Sequence, residues 1–156
     1  MEDATRHQLE DFLVDYAHVI DDGDLARWPQ MFTEDGTYQI IPKEALNAGQ
    51  PLGVMLCKGR GMLADRVTAL EEANIYEPHA YCHILGQPRF CQGEDGSIGA
   101  RSNFHVIRTM QDGRMETFAA GKYLDIIVFE DGKPLFKERR VVLESRRVDI
   151  LLVFPL

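Results

Sequence analysis

The chain has 156 residues, with 17 Lys plus Arg against 25 Asp plus Glu and a formal charge of −8. Domains commonly run ~100–150 residues and bury enough apolar surface to stand without staples, so one domain over residues 1–156 is expected. The acidic excess argues against nucleic acid and anionic lipid, which select basic patches, and no apolar run approaches the ~20 residues of a membrane span. The first residues, MEDATRHQLEDF, are charged where a secretory leader is basic and then apolar, so a cytoplasmic location is expected.

Apolar residues at Leu9, Phe12, Leu13, Tyr16, Ala17 and Ile20 follow the i, i+3, i+4, i+7 series of an amphipathic helix, which should stop near Asp21-Asp22-Gly23. Asp24 can then cap a short second helix carrying Leu25, Trp28, Met31 and Phe32, kept short by Pro29. Trp28 and Phe32 are expected to anchor it in the core. A turn leads to a strand over 38–41, a loop at KEALNAGQP, a second strand over 54–57 and a third helix over 61–73 whose apolar stripe is Met62, Leu63, Val67 and Leu70, interrupted by Arg66.

From residue 80 the pattern changes to long strand-like runs separated by Asp95-Gly96, Asp112-Gly113 and Asp131-Gly132, and Asp-Gly between two such runs signals a hairpin. Four antiparallel strands over about 80–92, 98–110, 115–129 and 134–154 are predicted. Runs of ~14 residues exceed the usual strand length and imply curvature or bulges. Helices followed by a sheet make an α+β fold, with the N-terminal helices covering one face of a strongly curved antiparallel sheet.

The odd set Cys57, Cys82 and Cys91 lacks CxxC spacing and reads as free, mostly buried thiols. Cys82 and His83 are adjacent, so on a strand they point to opposite faces. His79 and His83 have the i, i+4 spacing that serves zinc on a helix, but on a strand it spans about 13 Å, too far for one ion. No metal site and no Rieske cluster is therefore expected on this chain. There is no G-x-S-x-G nucleophile turn, and Gly59 and Gly61 lack the remainder of a phosphate cradle. One constellation has chemical potential: Asp21 at a helix end with His83 and His105 on neighbouring strands, and Tyr16 or Tyr38 as phenol donors. A carboxylate that holds an imidazole suffices for proton transfer in a dehydration or isomerisation. The same residues also fit a solvated helix end and packed core histidines.

The tracts DDGDLARWPQMFTEDGTYQIIP (21–42), GRGMLADRVTALEEANIYEPHAYCHILGQP (59–88), RSNFHVIR (101–108), GKYLDIIV (121–128) and ERRVVLESRRVDILLVFPL (138–156) resemble the small β subunits of Rieske-type aromatic-ring-hydroxylating oxygenases. The block DRVTALEEANIYE looks most like the terephthalate dioxygenase branch, with salicylate 5-hydroxylase small subunits close behind. The resemblance implies a nuclear-transport-factor-like (scytalone-dehydratase-like) cone with no cofactor and no catalytic residue of its own. It implies a larger α partner carrying a [2Fe–2S] cluster and mononuclear Fe(II), NAD(P)H electrons through a separate reductase, an α3β3 assembly with β–β contacts, and an aromatic carboxylate as substrate. The tract Gly121, Lys122, Tyr123, Leu124, Asp125 and the strand histidine His83 are implied to serve packing, although Cys82 stands where close relatives often have Arg. A free-standing dehydratase or isomerase using Asp21, His83 and His105 is the alternative, and a cavity binding a small apolar ligand is a third possibility. An obligate interface would leave apolar residues exposed on the outer face of the last strands, and Phe129, Phe136 and Val153 are the candidates.

Overall fold

The computed structural model describes residues 1–50, 53–73, 78–145 and 155–156. Helix α1 (Asp3–Asp21) leads through a 3₁₀ turn (Trp28–Met31) to β1 (Phe32–Pro42), the short helix α2 (Lys43–Asn47), β2 (Met55–Lys58) and α3 (Gly59–Ala73). Then come β3 (His79–Leu85), β4 (Arg89–Gln92), β5 (Ile98–Met110), β6 (Met115–Glu130) and β7 (Lys133–Leu143). The strands form one sheet in the order β2-β1-β7-β6-β5-β3, with β4 also paired to β5.

Helix α1 buries Leu9, Leu13, Tyr16, Ala17, Val19 and Ile20, close to the predicted stripe. It ends where Gly23 takes φ 72°. There the Gly23 amide donates to the Ile20 carbonyl (3.2 Å) and the Asp24 amide to that of Val19 (3.0 Å), a Schellman closure that satisfies the last carbonyls. This stop fixes Asp21 as the last helical residue.

The predicted meander forms, with β3 and β4, β5, β6 and β7 paired antiparallel in succession. The last hairpin turns at Asp131-Gly132, where both residues have positive φ (50° and 75°), as a tight two-residue connection requires. Register shifts fall between Val106 and Ile107 and between Ile126 and Ile127, so the long strands are broken by bulges. The first long strand divides at Gly86-Gln87-Pro88, because Pro88 supplies no ladder donor. The last ends at Leu143, short of the predicted span, of which residues 146–154 lie outside the described residues.

Several expectations are corrected. The sheet is mixed, because β1 runs parallel to β7, with Tyr38 opposite Arg139 and Ile40 opposite Val141. Strand β1 extends from Phe32 rather than from Tyr38, and residues 43–47 of the predicted loop form α2. The short second helix is only a 3₁₀ turn, because Pro29 falls at its start. In α3, Leu63, Val67 and Leu70 are buried but Met62 is exposed. Cys57 is buried, whereas Cys82 and Cys91 are exposed on strand faces that point away from the core. Phe136 is fully buried and rings Phe12 (4.5 Å), Phe32 (5.3 Å) and Tyr16 (5.5 Å) surround it, so it is a core residue and not an outer-face one. Phe129 is exposed as expected, and Val153 lies outside the described residues.

Trp28 and Phe32 are completely buried, with Trp28 edge-on to Phe32 (5.9 Å) and Tyr38 (5.0 Å). Trp28→Ala is expected to lower stability by about 3–5 kcal/mol in urea unfolding, the range for removing a large buried ring. Gly121 sits opposite Leu143 at the β6–β7 crossing, and a β-carbon there would overlap the Val142 carbonyl oxygen. Gly121→Ala should therefore cost about 1–3 kcal/mol by overpacking, read from the same unfolding midpoints.

Candidate functional site

The interior between α1 and the sheet is built around a buried cation. Arg139 on β7 is 1% exposed, and its guanidinium carbon lies 3.8 Å from the ring centres of both Tyr16 and Tyr123 and 4.5 Å from that of Phe136. Desolvated cations over aromatic faces gain about 2 kcal/mol or more. Its carboxylate neighbour is Asp125, directly opposite on β6, with Arg139 Nε 3.6 Å from Asp125 Oδ1. That separation exceeds a hydrogen bond, and burial outweighs the attraction of Arg139, pushing the Asp125 carboxyl up to about 7. Burial likewise raises the Tyr16, Tyr38 and Tyr123 phenols, with Arg139 opposing the rise at Tyr16 and Tyr123.

The two candidate phenols meet at one acceptor. Tyr16 Oη donates to the main-chain oxygen of Leu156 (2.8 Å) and accepts from Trp28 Nε1 (3.4 Å). Tyr38 Oη lies 3.1 Å from the same Leu156 oxygen and accepts from the Leu156 amide (2.8 Å). Leu156 is completely buried within the apolar cluster that holds Trp28, Phe32 and Tyr38.

Asp21 and His83 are in contact. Asp21 Oδ1 lies 2.5 Å from His83 Nδ1, while Asp21 Oδ2 accepts the His83 amide at 2.8 Å, so one carboxylate fixes both the ring and the strand. His83 Nε2 is buried without a hydrogen-bond partner among the described residues. His105 does not join them. His83 stands opposite the buried Val106 and His105 opposite the half-exposed Ile84, so the two rings lie on opposite faces of the sheet. His105 Nε2 instead meets Thr117 Oγ1 at 3.2 Å on the exposed face.

Among the described residues the donor set does not suit an iron or iron–sulfur centre. Among the described residues no group of three or more His, Cys, Asp or Glu side chains could hold a metal ion. Cys82 is exposed on the outer face while the His83 ring is turned inward. The outer face instead carries an open groove of about 420 Å³ lined by Arg89, Cys91, Arg101, Ile126, Glu138 and Arg140, with Ile84 and Phe129 exposed elsewhere on the chain. Among the described residues no helix is long and apolar enough to cross a membrane.

Residues 16–149 match the family described as ring hydroxylating beta subunit. The chain belongs to the ring-hydroxylating β-subunit family. It is thus a subunit of an aromatic-ring-hydroxylating dioxygenase. This β subunit is 40% identical over 141 residues to the anthranilate 1,2-dioxygenase small subunit of Burkholderia cepacia, covering 90% of this chain and 88% of the relative. It is 39% identical over 149 residues to a β subunit of the terminal oxygenase component of terephthalate 1,2-dioxygenase from Comamonas sp., covering 96% and 97%. A crystal structure from Novosphingobium aromaticivorans, assigned as the β subunit of an aromatic-ring-hydroxylating dioxygenase, superposes with a TM-score of 0.89 at 34% identity, covering 99% and 100%. A second structure from that organism, assigned as a scytalone dehydratase, superposes at 0.71 with 17% identity, covering 91% and 85%, and so shares the fold alone. The α+β fold of the β subunit is therefore of the scytalone-dehydratase-like kind.

Arg139 and Leu156 escape sequence reasoning, and Asp125 is legible only as part of a strand tract. Between pH 4 and 7 the native state holds the Asp125 proton while the unfolded chain, titrating near 4, releases it, so this carboxyl's contribution to stability falls as pH rises through that window and levels off above about 7. Asp125→Asn carries no such proton. The stability difference between Asp125→Asn and the parent should grow in favour of the variant from pH 5 to pH 7.5, by urea unfolding; a constant difference would mean that Asp125 titrates normally.

Proposed function

We propose that this chain is the structural β component of a multicomponent Rieske non-haem iron oxygenase that hydroxylates an aromatic carboxylate of the terephthalate, salicylate or anthranilate type. Its role is to assemble and stabilise the catalytic α subunits in an α3β3 complex through a conical, curved-sheet body. The [2Fe–2S] cluster and mononuclear Fe(II) belong to the α partner, and NAD(P)H supplies electrons through a separate reductase. The observation that carries this proposal is the filled interior: Arg139, the rings of Tyr16, Tyr123 and Phe136, and Leu156 occupy the space between α1 and the sheet. The likeness to small subunits of an anthranilate and a terephthalate dioxygenase supports the substrate class. The half-exposed Ile126 and Phe129 on β6 are suited to contact with another subunit.

The test is light-scattering mass, iron content and visible absorbance of the chain expressed alone and with the neighbouring large-subunit reading frame. Co-purification as an iron-bearing hetero-oligomer is expected, and Ile126→Glu with Phe129→Glu should reduce the recovered complex by about tenfold without lowering the Tm of the isolated chain. A chain that ignores the large subunit would overturn the proposal.

The Asp21–His83 contact favours a second possibility, a free-standing dehydratase or isomerase, for a carboxylate-oriented imidazole is the core of a proton shuttle. The position of His105 on the other face leaves that shuttle without its third member. Turnover by the chain alone, abolished in Asp21→Asn, would establish it.

A further inference from the structure

Two buried phenols need partners inside an apolar cluster, and among the described residues the main chain of one residue meets both. The Tyr16 and Tyr38 hydroxyls each have one proton to give. If each were left to the other, one would donate and the second proton would have no acceptor, at a cost usually paid by every unsatisfied buried donor. The Leu156 oxygen takes both, at 2.8 Å from Tyr16 and 3.1 Å from Tyr38, and Tyr38 Oη in turn accepts the Leu156 amide at 2.8 Å. The pair therefore reads the N–H and the main-chain oxygen of one residue, a donor and an acceptor on either side of a single Cα. The surroundings fix its placement. Trp28 Nε1 orients the Tyr16 hydroxyl, Arg139 stacks on the Tyr16 ring, and the Trp28 and Phe32 rings stand edge-on to Tyr38 (5.0 and 6.1 Å). None of Tyr16, Trp28, Phe32, Tyr38 and Leu156 is exposed.

We infer that Tyr16 and Tyr38 form an amide-recognition site inside the β subunit, occupied in cis by Leu156 and able to take in its place a small acylated amino acid with a branched apolar side chain. Specificity follows from the same contacts. The two phenols select a carbonyl or carboxylate oxygen adjoining an N–H, and the apolar cluster selects a side chain of leucine size. An aromatic hydrocarbon without the amide would leave both hydroxyls unsatisfied and would be rejected. The site lies on the inner side of the sheet, away from the outer groove, and its use is independent of which subunit the outer face meets.

The test ends the chain at Phe154 and titrates the variant with N-acetyl-prolyl-leucine. Loss of the cis occupant should lower the Tm by about 5 °C, as expected for unsatisfied buried hydroxyls in a domain of this size. The dipeptide should restore much of that loss, saturating with a Kd on the order of 0.1–1 mM by ligand-efficiency limits. The full chain should show no dipeptide effect, and Tyr16→Phe with Tyr38→Phe in the shortened chain should abolish binding. A shortened chain that melts like the full one, or that melts lower and gains no dipeptide binding, would overturn the inference, as would equal binding by the full chain. If the shortened chain does not fold, amide hydrogen exchange in the full chain decides. Exchange at Leu156 should be about tenfold faster or more in Tyr38→Phe than in the parent, and equal rates would refute the site.

Discussion

The Arg139 guanidinium, held between the rings of Tyr16 and Tyr123, is the constraint to which the rest of the interior conforms. A cation removed from water must be compensated on every side, and among the described residues no single hydrogen-bonded carboxylate does so. Two π-faces supply most of the compensation, and this is why tyrosines from α1 and β6 converge on β7. Asp125 stands opposite, too far for a direct bond and too buried to ionise easily, so the pair is a cation with a weakly acidic neighbour rather than a tight ion pair. The hydroxyls of Tyr16 and Tyr38 are left to find partners beyond the cation, and they find them in Trp28 and Leu156.

This arrangement separates the two sides of the sheet by role. Strand alternation sends Ser102, Phe104, Val106 and Arg108 inward, and Arg101, Asn103 and His105 toward the opposite face. The inward set is consumed by packing, consistent with a family member whose work is done in company. The outward set, with the groove beside Cys91 and Ile126, presents charge and apolar surface together, the composition from which subunit contacts are made.

The elements with clean periodicity were legible in the residues: α1 from its apolar stripe, the hairpins from their Asp-Gly turns, and the fold class from the change of pattern near residue 80. The parallel pairing of β1 with β7 was not, because nothing local specifies which edge a distant strand will join. Phe136 was misplaced for a definable reason. The inward series on β7 is Phe136, then Arg139, Val141 and Leu143, and the register shift near Ile126 and Ile127 inserts an extra step that strict alternation does not anticipate. The same irregularity hid Arg139, which sits beside Arg140 in a run that reads as solvated charge. Asp21 with His83 was legible from helix-end and strand positions, whereas His105 failed by the parity of a single residue.

The β1–β7 pairing also governs the order in which the chain can acquire its structure. Residues 32–42 must wait for residues 133–143, and until then, among the described residues, β1 has the four-residue β2 alone as a strand neighbour. Such a long closure is slow because the entropy of the intervening loop is lost before the contact rewards it. During synthesis the meander from β3 to β7 can zip hairpin by hairpin, while β1 waits for residues 133–143 to leave the ribosome. Any surface that needs both strands in place is thereby withheld until β7 has paired with β1, so the two ends of the sequence order are made to mature together.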